Sequence, residues 1–297
     1  MIKKQVLSIA LALGVLFSVC TPTKVMADSN IDVKDFIEKS ELNKYIDDEK
    51  SVESLKELSK NAVSATSSEY YVRYVADEDN NVAMDPKKYT EEEYNEFKNT
   101  EEAVNELTNI TGYSLNTTPE RSNSWIHLRF ESYKAPDGQY DFYIFYDWKN
   151  KPMWTGKDVI SLGYTSNITV DTTSVRSHHT QLMNNPITSE PYYSSQDYNY
   201  LNNSNCKTDL NGIAFKFDLP SSPDTWPAFY NGYMTAKGRF SNTQHTSATM
   251  EMAYTHQQIG FAYNIQDAIN FLTTGKVEIK MVSTYDVFRA ADEFLRY

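Results

Sequence analysis

The stretch Ser124-Trp125-Ile126-His127-Leu128-Arg129-Phe130-Glu131-Ser132-Tyr133-Lys134-Ala135-Pro136-Asp137-Gly138-Gln139-Tyr140-Asp141-Phe142-Tyr143-Ile144-Phe145-Tyr146-Asp147-Trp148 decides the fold. Trp125 to Glu131 alternates polar and apolar residues, the period of a strand whose successive side chains point to opposite faces. Ala135-Pro136-Asp137-Gly138 is a turn with a mechanism, because Pro fixes φ and Gly tolerates positive φ. Tyr140 to Trp148 is apolar or aromatic on both parities, as a central strand covered on both sides would be. The two runs are expected to pair as an antiparallel hairpin.

Downstream, the same logic marks Val159–Leu162, Ile168–Val170, Ile213–Leu219, Tyr233–Phe240, Ser247–Tyr254, Ile259–Tyr263 and Val277–Val282 as strands. Ile213, Phe215, Phe217 and Leu219 alternate with Lys216 and Asp218, giving one dry and one wet face. Short strands separated by Ser, Thr, Asn, Pro and Gly point to a sandwich. Helices are expected near Gln266–Leu272 and over Tyr285–Leu295. Asn184 to Asn205, with Pro186 and Pro191, reads as a long loop of the kind that carries binding surfaces.

Upstream, Val33, Phe36, Ile37, Leu42, Tyr45, Ile46, Val52, Leu55 and Leu58 recur at helical steps. Residues 31–65 are therefore expected to be helical, followed by a polar linker over Ser64–Ser68 and a strand over Glu69–Val75. Thr90 with Glu91, Glu92 and Glu93 places acids at the positive end of a helix running to about Thr108. The expected fold is mainly β within the α+β class: an acidic, mostly helical segment over 28–120, then an antiparallel β-sandwich over 121–297.

The chain has 297 residues with 28 basic and 40 acidic side chains, a net charge of −12 and 13% aromatics. Such a length supports a hydrophobic core without staples. The aromatics exclude a wholly disordered chain, and the acidity disfavours nucleic acid, whose phosphates need a basic surface. Lys3 and Lys4, the apolar run Val6–Val19 and Val25-Met26-Ala27 have the form of a secretory signal cleaved after residue 27, so the expected location is extracellular. Cleavage removes three lysines and no acid, lowering the net charge to −15. The apolar run is too short to span a membrane. Phe17-Ser18-Val19 before Cys20 is a poor lipoprotein signal, and the acid excess is concentrated in residues 28–120. Cys206 is then the single thiol, expected in a loop, with pairing between chains as its one route to a disulfide.

Catalytic motifs are weak. His127, His178, His179, His245 and His256 lack zinc-ligand spacing, and adjacent His178 and His179 point to opposite faces of a strand. Asp77-Glu78-Asp79-Asn80-Asn81 resembles a calcium loop but puts Val82 where Gly is required and Lys88 where an acid must close the cage. Glu131, Asp141, Asp147 and Asp158 offer carboxylates for glycoside hydrolysis, with Trp125, Trp148 and Trp154 as a sugar platform. Any chain this acidic offers as much. No Gly-x-Ser-x-Gly elbow or phosphate-cradling glycine loop occurs. No cofactor or metal is expected. The candidate ligand-binding residues are Tyr192, Tyr193, Tyr198 and Tyr200 of the long loop, together with Trp148 and Trp154, since exposed Tyr and Trp give large contact at low entropy cost. A second aromatic group comprises Trp226, Phe229, Tyr230 and Tyr233.

Tyr146-Asp147-Trp148, Pro152, Asp158-Val159-Ile160 and Tyr254-Thr255-His256-Gln257 resemble the Tyr-x-Trp-x-x-x-Pro…Asp-x-Ile and Ala-x-Tyr-x-His-Gln segments of uncharacterised exported proteins of Gram-positive bacteria. Gly212 to Pro220 fits the strand between them. The resemblance spans about residues 124–265 and implies a secreted bacterial β domain, with no activity or cofactor attached. The favoured reading is a non-enzymatic binding or surface-interaction module whose partner is a cell-surface glycan or protein. The alternatives are a secreted polysaccharide hydrolase and a membrane-active toxin inserting Ser161–Thr180 as a β-hairpin.

Overall fold

A computed structural model describes residues 57, 61–74, 87–100, 124–150, 152, 156–185, 187–188, 190–199, 205–209, 212–219, 225–242, 244, 248–257 and 285–294. Twelve strands and one helix are described in chain order. They are β1 (Ser64–Tyr74), β2 (Lys87–Tyr89), α1 (Glu91–Lys98), β3 (Ser124–Lys134), β4 (Gln139–Trp148), β5 (Lys157–Tyr164) and β6 (Ile168–Asn184). Then follow β7 (Pro191–Asn199), β8 (Cys206–Asp209), β9 (Gly212–Asp218), β10 (Thr225–Phe240), β11 (Ala248–Gln257) and β12 (Tyr285–Phe294). They form an antiparallel sandwich of a seven-stranded sheet, β2-β1-β3-β4-β10-β6-β7, and a five-stranded sheet, β12-β11-β5-β9-β8.

The opening hairpin forms as its pattern requires. Ile126 pairs with Trp148 and Lys134 with Tyr140. Gly138 sits at φ +82°, and its N–H donates to the Ala135 carbonyl at 3.0 Å. The main core lies between the sheets. Phe142, Ile144, Tyr146 and Trp148 of β4 face Ile160, Leu162, Phe215, Phe217, Met250, Met252 and Tyr254 of the second sheet. At β4, Tyr143 and Phe145 on the opposite face are buried as well.

α1 covers part of that outer face. Thr90 caps it in a reciprocal box, accepting from the Glu93 N–H while the Glu93 carboxylate accepts from the Thr90 N–H. Such a box satisfies donors that the first helical turn leaves free. Tyr94 stacks on Tyr71 at 4.0 Å between ring centroids, and both pack with Trp125.

Four expectations are corrected. Tyr285–Phe294 is a strand, pairing with β11 from Ala248↔Phe294 to Gln257↔Tyr285. The ladder satisfies β11 along its whole edge, and that overrides the local helical period. Pro191–Asn199 is strand β7, paired with β6, so nine residues inside the stretch read as one long loop form a hairpin arm. Ser64–Ser68 continues β1, whose eleven residues all pair with β3; this strand lies before the boundary expected at residue 120. Cys206 opens β8 and is 7% exposed within the core.

The helices expected over most of residues 31–65 and near Gln266–Leu272 lie outside the described residues, as do the strands expected at Ile259–Tyr263 and Val277–Val282. No described helix is long and apolar enough to cross a membrane.

Candidate functional site

Trp148, Asp158, Tyr254 and His256 meet in the core, although about a hundred positions separate the first two from the last two. Asp158 on β5 and Tyr254 and His256 on β11 project from one face of the five-stranded sheet, because Ile160 pairs with Tyr254 and parity brings Asp158 and His256 to the same side. Tyr254 O–H donates to Asp158 Oδ2 at 2.5 Å. His256 Nδ1 lies 3.1 Å from both Asp158 oxygens. From the other sheet, Trp148 Nε1–H donates to the Tyr254 hydroxyl oxygen at 3.0 Å. All four side chains are at most 1% exposed. Burial, with Asp158 beside it, pushes the Tyr254 hydroxyl well above the usual tyrosine range, so it stays a donor.

A second buried set sits beside it. Tyr146 crosses β10 over Gly232, and its hydroxyl lies 3.1 Å from His179 Nδ1 on β6. Ser177 Oγ is 2.5 Å from His179 Nε2, and Phe217 stacks on the ring at 3.7 Å. Burial holds the His179 imidazole well below its ordinary value, hence neutral, with one nitrogen donating and the other accepting. These groups are closed off from solvent, and their hydrogen bonds join strands and sheets. Their chemistry is that of a polar staple within the core.

The outer face of the seven-stranded sheet carries a further set of titratable groups. Glu69 accepts from His127 at 3.1 Å and from Arg129 at 3.3 Å. Arg129 is also ion-paired at 2.7 Å with Glu131, which accepts from Tyr133 O–H at 2.5 Å. His178 lies between Asp197 at 2.7 Å and Thr180 at 2.9 Å, on the face opposite His179, as strand alternation demands. Asp147 pairs with Lys149. The carboxylates considered for hydrolysis thus divide: Glu131, Asp141 and Asp147 are outside the first sheet, while Asp158 is buried between the two. No group of three or more potential metal ligands occurs among the described residues. The calcium-like stretch Asp77–Asn81 lies outside them.

The residues selected from sequence separate in the same way. Trp148 is 1% exposed and bonded to Tyr254, so it cannot form a surface platform; Trp125 is buried beneath α1. Trp154, Tyr200 and His245 lie outside the described residues, and Trp226 falls within β10. Tyr198 is half-buried, its ring against His179 and its hydroxyl donating to Gln196 at 2.8 Å. Tyr192 and Tyr193 are exposed, at 46% and 59%. They open β7 beside Met183 and Leu182, at the end of the β6–β7 hairpin. Ile187, 90% exposed, stands in the turn between the arms.

That turn is held by its own side chains. Asn185 Oδ1 accepts from the N–H of Ile187 at 2.9 Å and of Thr188 at 3.3 Å. The Asn185 N–H donates to the Glu190 carbonyl at 2.9 Å. Sequence reasoning found the two tyrosines but missed Ile187, whose signal was a large aliphatic residue inside an Asn/Pro/Thr turn.

No family model and no curated protein matches the chain. Among solved structures, it is similar to the collagen-binding domain of a Staphylococcus aureus adhesin, with 10% identity and a TM-score of 0.29 over 52% of this chain and 89% of that one. It is also similar to the collagen-binding subdomain of an Enterococcus faecalis surface protein, with 7% identity and a TM-score of 0.27 over 52% and 85%. A third similarity is to the Clostridium perfringens NetB toxin in its membrane-inserted form, with 9% identity and a TM-score of 0.22 over 60% and 91%. At these scores, neither what those proteins bind nor how they act transfers to this chain.

Proposed function

We propose that the chain is an exported, non-enzymatic binding module that docks on a protein surface through the end of its β6–β7 hairpin. The signal-like residues 1–27 support export. The observation that carries the docking is the placement of exposed apolar side chains. Val63, Ile187, Tyr192 and Tyr193 are the large hydrophobic side chains exposed among the described residues, and three of the four share this hairpin end. Tyrosines supply broad contact at small entropic cost, and an aliphatic side chain in a fixed turn is suited to fill a pocket on a partner. The Asn185 bonds set the turn in place before contact, which lowers the ordering cost of association. A non-enzymatic role agrees with the buried Asp158, His179 and His256, which are committed to the core.

The test is surface-plasmon binding of the exported chain to a panel of purified extracellular-matrix and cell-wall proteins. Glycan-coated surfaces and phosphatidylcholine vesicles serve as parallel arms. Saturable binding to a protein is expected, weakened about thirtyfold or more by the combined Ile187→Asp, Tyr192→Ala and Tyr193→Ala substitutions. Protein binding unchanged by that triple variant would overturn the hairpin-end reading. So would binding confined to the glycan or vesicle arms.

A further inference from the structure

A cavity of about 310 Å³ opens on the outer face of the seven-stranded sheet, over β4, β10 and β6. Its size is at the lower end of ligand pockets, which run from roughly 300 to 1,000 Å³. It lies some distance from the docking hairpin: Arg176 in its wall stands eight residues before the end of β6, about 25 Å of strand. The two features are independent.

An irregularity in the strand pairing shapes this cavity. The register between β10 and β6 jumps from Thr235↔Arg176 to Lys237↔Asp171, so β6 carries extra residues against one residue of β10. Such bulges re-aim side chains and interrupt the ladder. Here the interruption is filled from within. The Lys237 N–H donates to Ser174 Oγ at 2.8 Å, and Ser174 O–H donates to the Asp171 carbonyl at 2.6 Å. The bulge is therefore a fixed part of the wall.

The lining mixes apolar groups from Ala62, Ala135 and Tyr143 with polar ones that are balanced in charge. Its acids are Asp141 and Glu57, and its cations are Lys237 and Arg176. Asp141, with a side chain 7% exposed, is ion-paired to Lys237 at 3.3 Å. Burial raises the Asp141 carboxyl above its ordinary value even beside that lysine. Arg176 Nη1 donates to the carbonyls of Thr173 and Val175, both at 2.8 Å, which fixes the guanidinium; it forms no ion pair among the described residues. Gln139, Thr235 and Ser174 add groups able to donate and accept.

This composition selects the ligand class. An anion entering the cavity meets Asp141 and Glu57, and a cation meets Lys237 and Arg176. A neutral molecule rich in hydroxyls suits both, because each hydroxyl donates to a carboxylate and accepts from an ammonium or guanidinium. We propose that the cavity is a binding site for a short neutral saccharide of one or two sugar rings. Asp141 accepts from its hydroxyls, and Arg176 and Lys237 donate to them.

Isothermal titration of the full chain with a panel of neutral mono- and disaccharides tests this. Glucuronic acid and glucosamine are the charged comparators. Saturable binding of at least one neutral sugar is expected. Arg176→Ala, an exposed change that leaves the ladder intact, should weaken it about tenfold, and Asp141→Asn by at least as much. Lys157→Ala on the other sheet should leave it unchanged. Circular dichroism establishes that each variant is folded; where Asp141→Asn is not, Arg176→Ala decides. The site is overturned if no neutral saccharide binds at millimolar concentration, if a charged comparator binds more tightly, or if Arg176→Ala binds as the parent does. The titration reads the cavity alone, so its failure would leave the hairpin-end reading standing.

Discussion

Tyr254 O–H donates to Asp158 Oδ2 at 2.5 Å between neighbouring strands of one sheet, and the same hydroxyl oxygen accepts Trp148 Nε1–H from the other sheet at 3.0 Å. One hydroxyl thus links a fully buried carboxylate to the opposite layer of the sandwich. A buried carboxylate is tolerated only where hydrogen bonds replace the water it has lost.

Tyr254→Phe preserves the ring and deletes only this oxygen. Asp158 would lose its shortest bond, and the Trp148 N–H would lose its acceptor. The variant should be destabilised by roughly 2–3 kcal/mol, the cost of leaving charged and neutral partners unsatisfied in a core. Urea unfolding followed by tryptophan fluorescence measures it. A loss below about 0.5 kcal/mol would show that water or a rearrangement replaces the hydroxyl.

Gly232 makes the neighbouring contact possible. A Cβ there would stand 2.3 Å from the His178 carbonyl oxygen and 2.9 Å from Tyr146 Cε1, on the path by which Tyr146 reaches His179. Gly232→Ala should therefore cost about 2–3 kcal/mol through backbone displacement. Gly138→Ala is the contrast: nothing lies within 4 Å of its Cβ, and only the positive φ resists it. That change should cost about 1–2 kcal/mol, and thermal melts of both variants order the two effects.

These contacts also show where sequence reasoning stops. Period-two alternation and the Pro-Asp-Gly turn determine the β3–β4 hairpin locally, so it was readable. Parity gave the faces of β9 in the same way. Parity could not place Trp148, because both faces of β4 are apolar and both are buried. Pro191 read as a breaker, yet it is the first residue of an edge strand, where a missing N–H removes no ladder bond. Tyr285–Phe294 carries a helical period and becomes a strand because β11 offers it an edge, a choice made by tertiary pairing. The motif around Trp148, Asp158 and His256 was visible as residues, but the contact that unites them depends on how two sheets pack. The cavity had no sequence signal, since a bulge in one strand and a register jump against another create it.

Glu69 should impose acid sensitivity. Its hydrogen bond from His127, with the Arg129 charge nearby, outweighs burial and holds its carboxyl below the ordinary value of 4.5. A depressed carboxylate contributes stability that is fully present above the unfolded value and is lost as pH falls through the folded one. Glu69→Gln should thus be less stable than the parent at pH 7, and the difference should shrink as pH drops below 4.5. Urea midpoints measured from neutral to acidic pH test the sign. A gap that widens on acidification would refute the assignment.

Cys206 should be chemically silent in the native protein. The sequence placed it in a loop, where a thiol would be open to pairing between chains. Instead it begins β8, 7% exposed and packed in the main core, and burial pushes its thiol up to about 12. Both factors act against the thiolate, which is the form that attacks disulfides and alkylating reagents. Ellman's reagent at pH 8 should react with the unfolded chain at once and with the native chain only as fast as local or global opening exposes β8. The native rate should rise with urea in step with unfolding. Non-reducing electrophoresis should show monomer after prolonged aerobic storage. Rapid native labelling, or a disulfide-linked dimer that retains the native near-ultraviolet circular dichroism, would show that β8 opens far more readily than its burial implies.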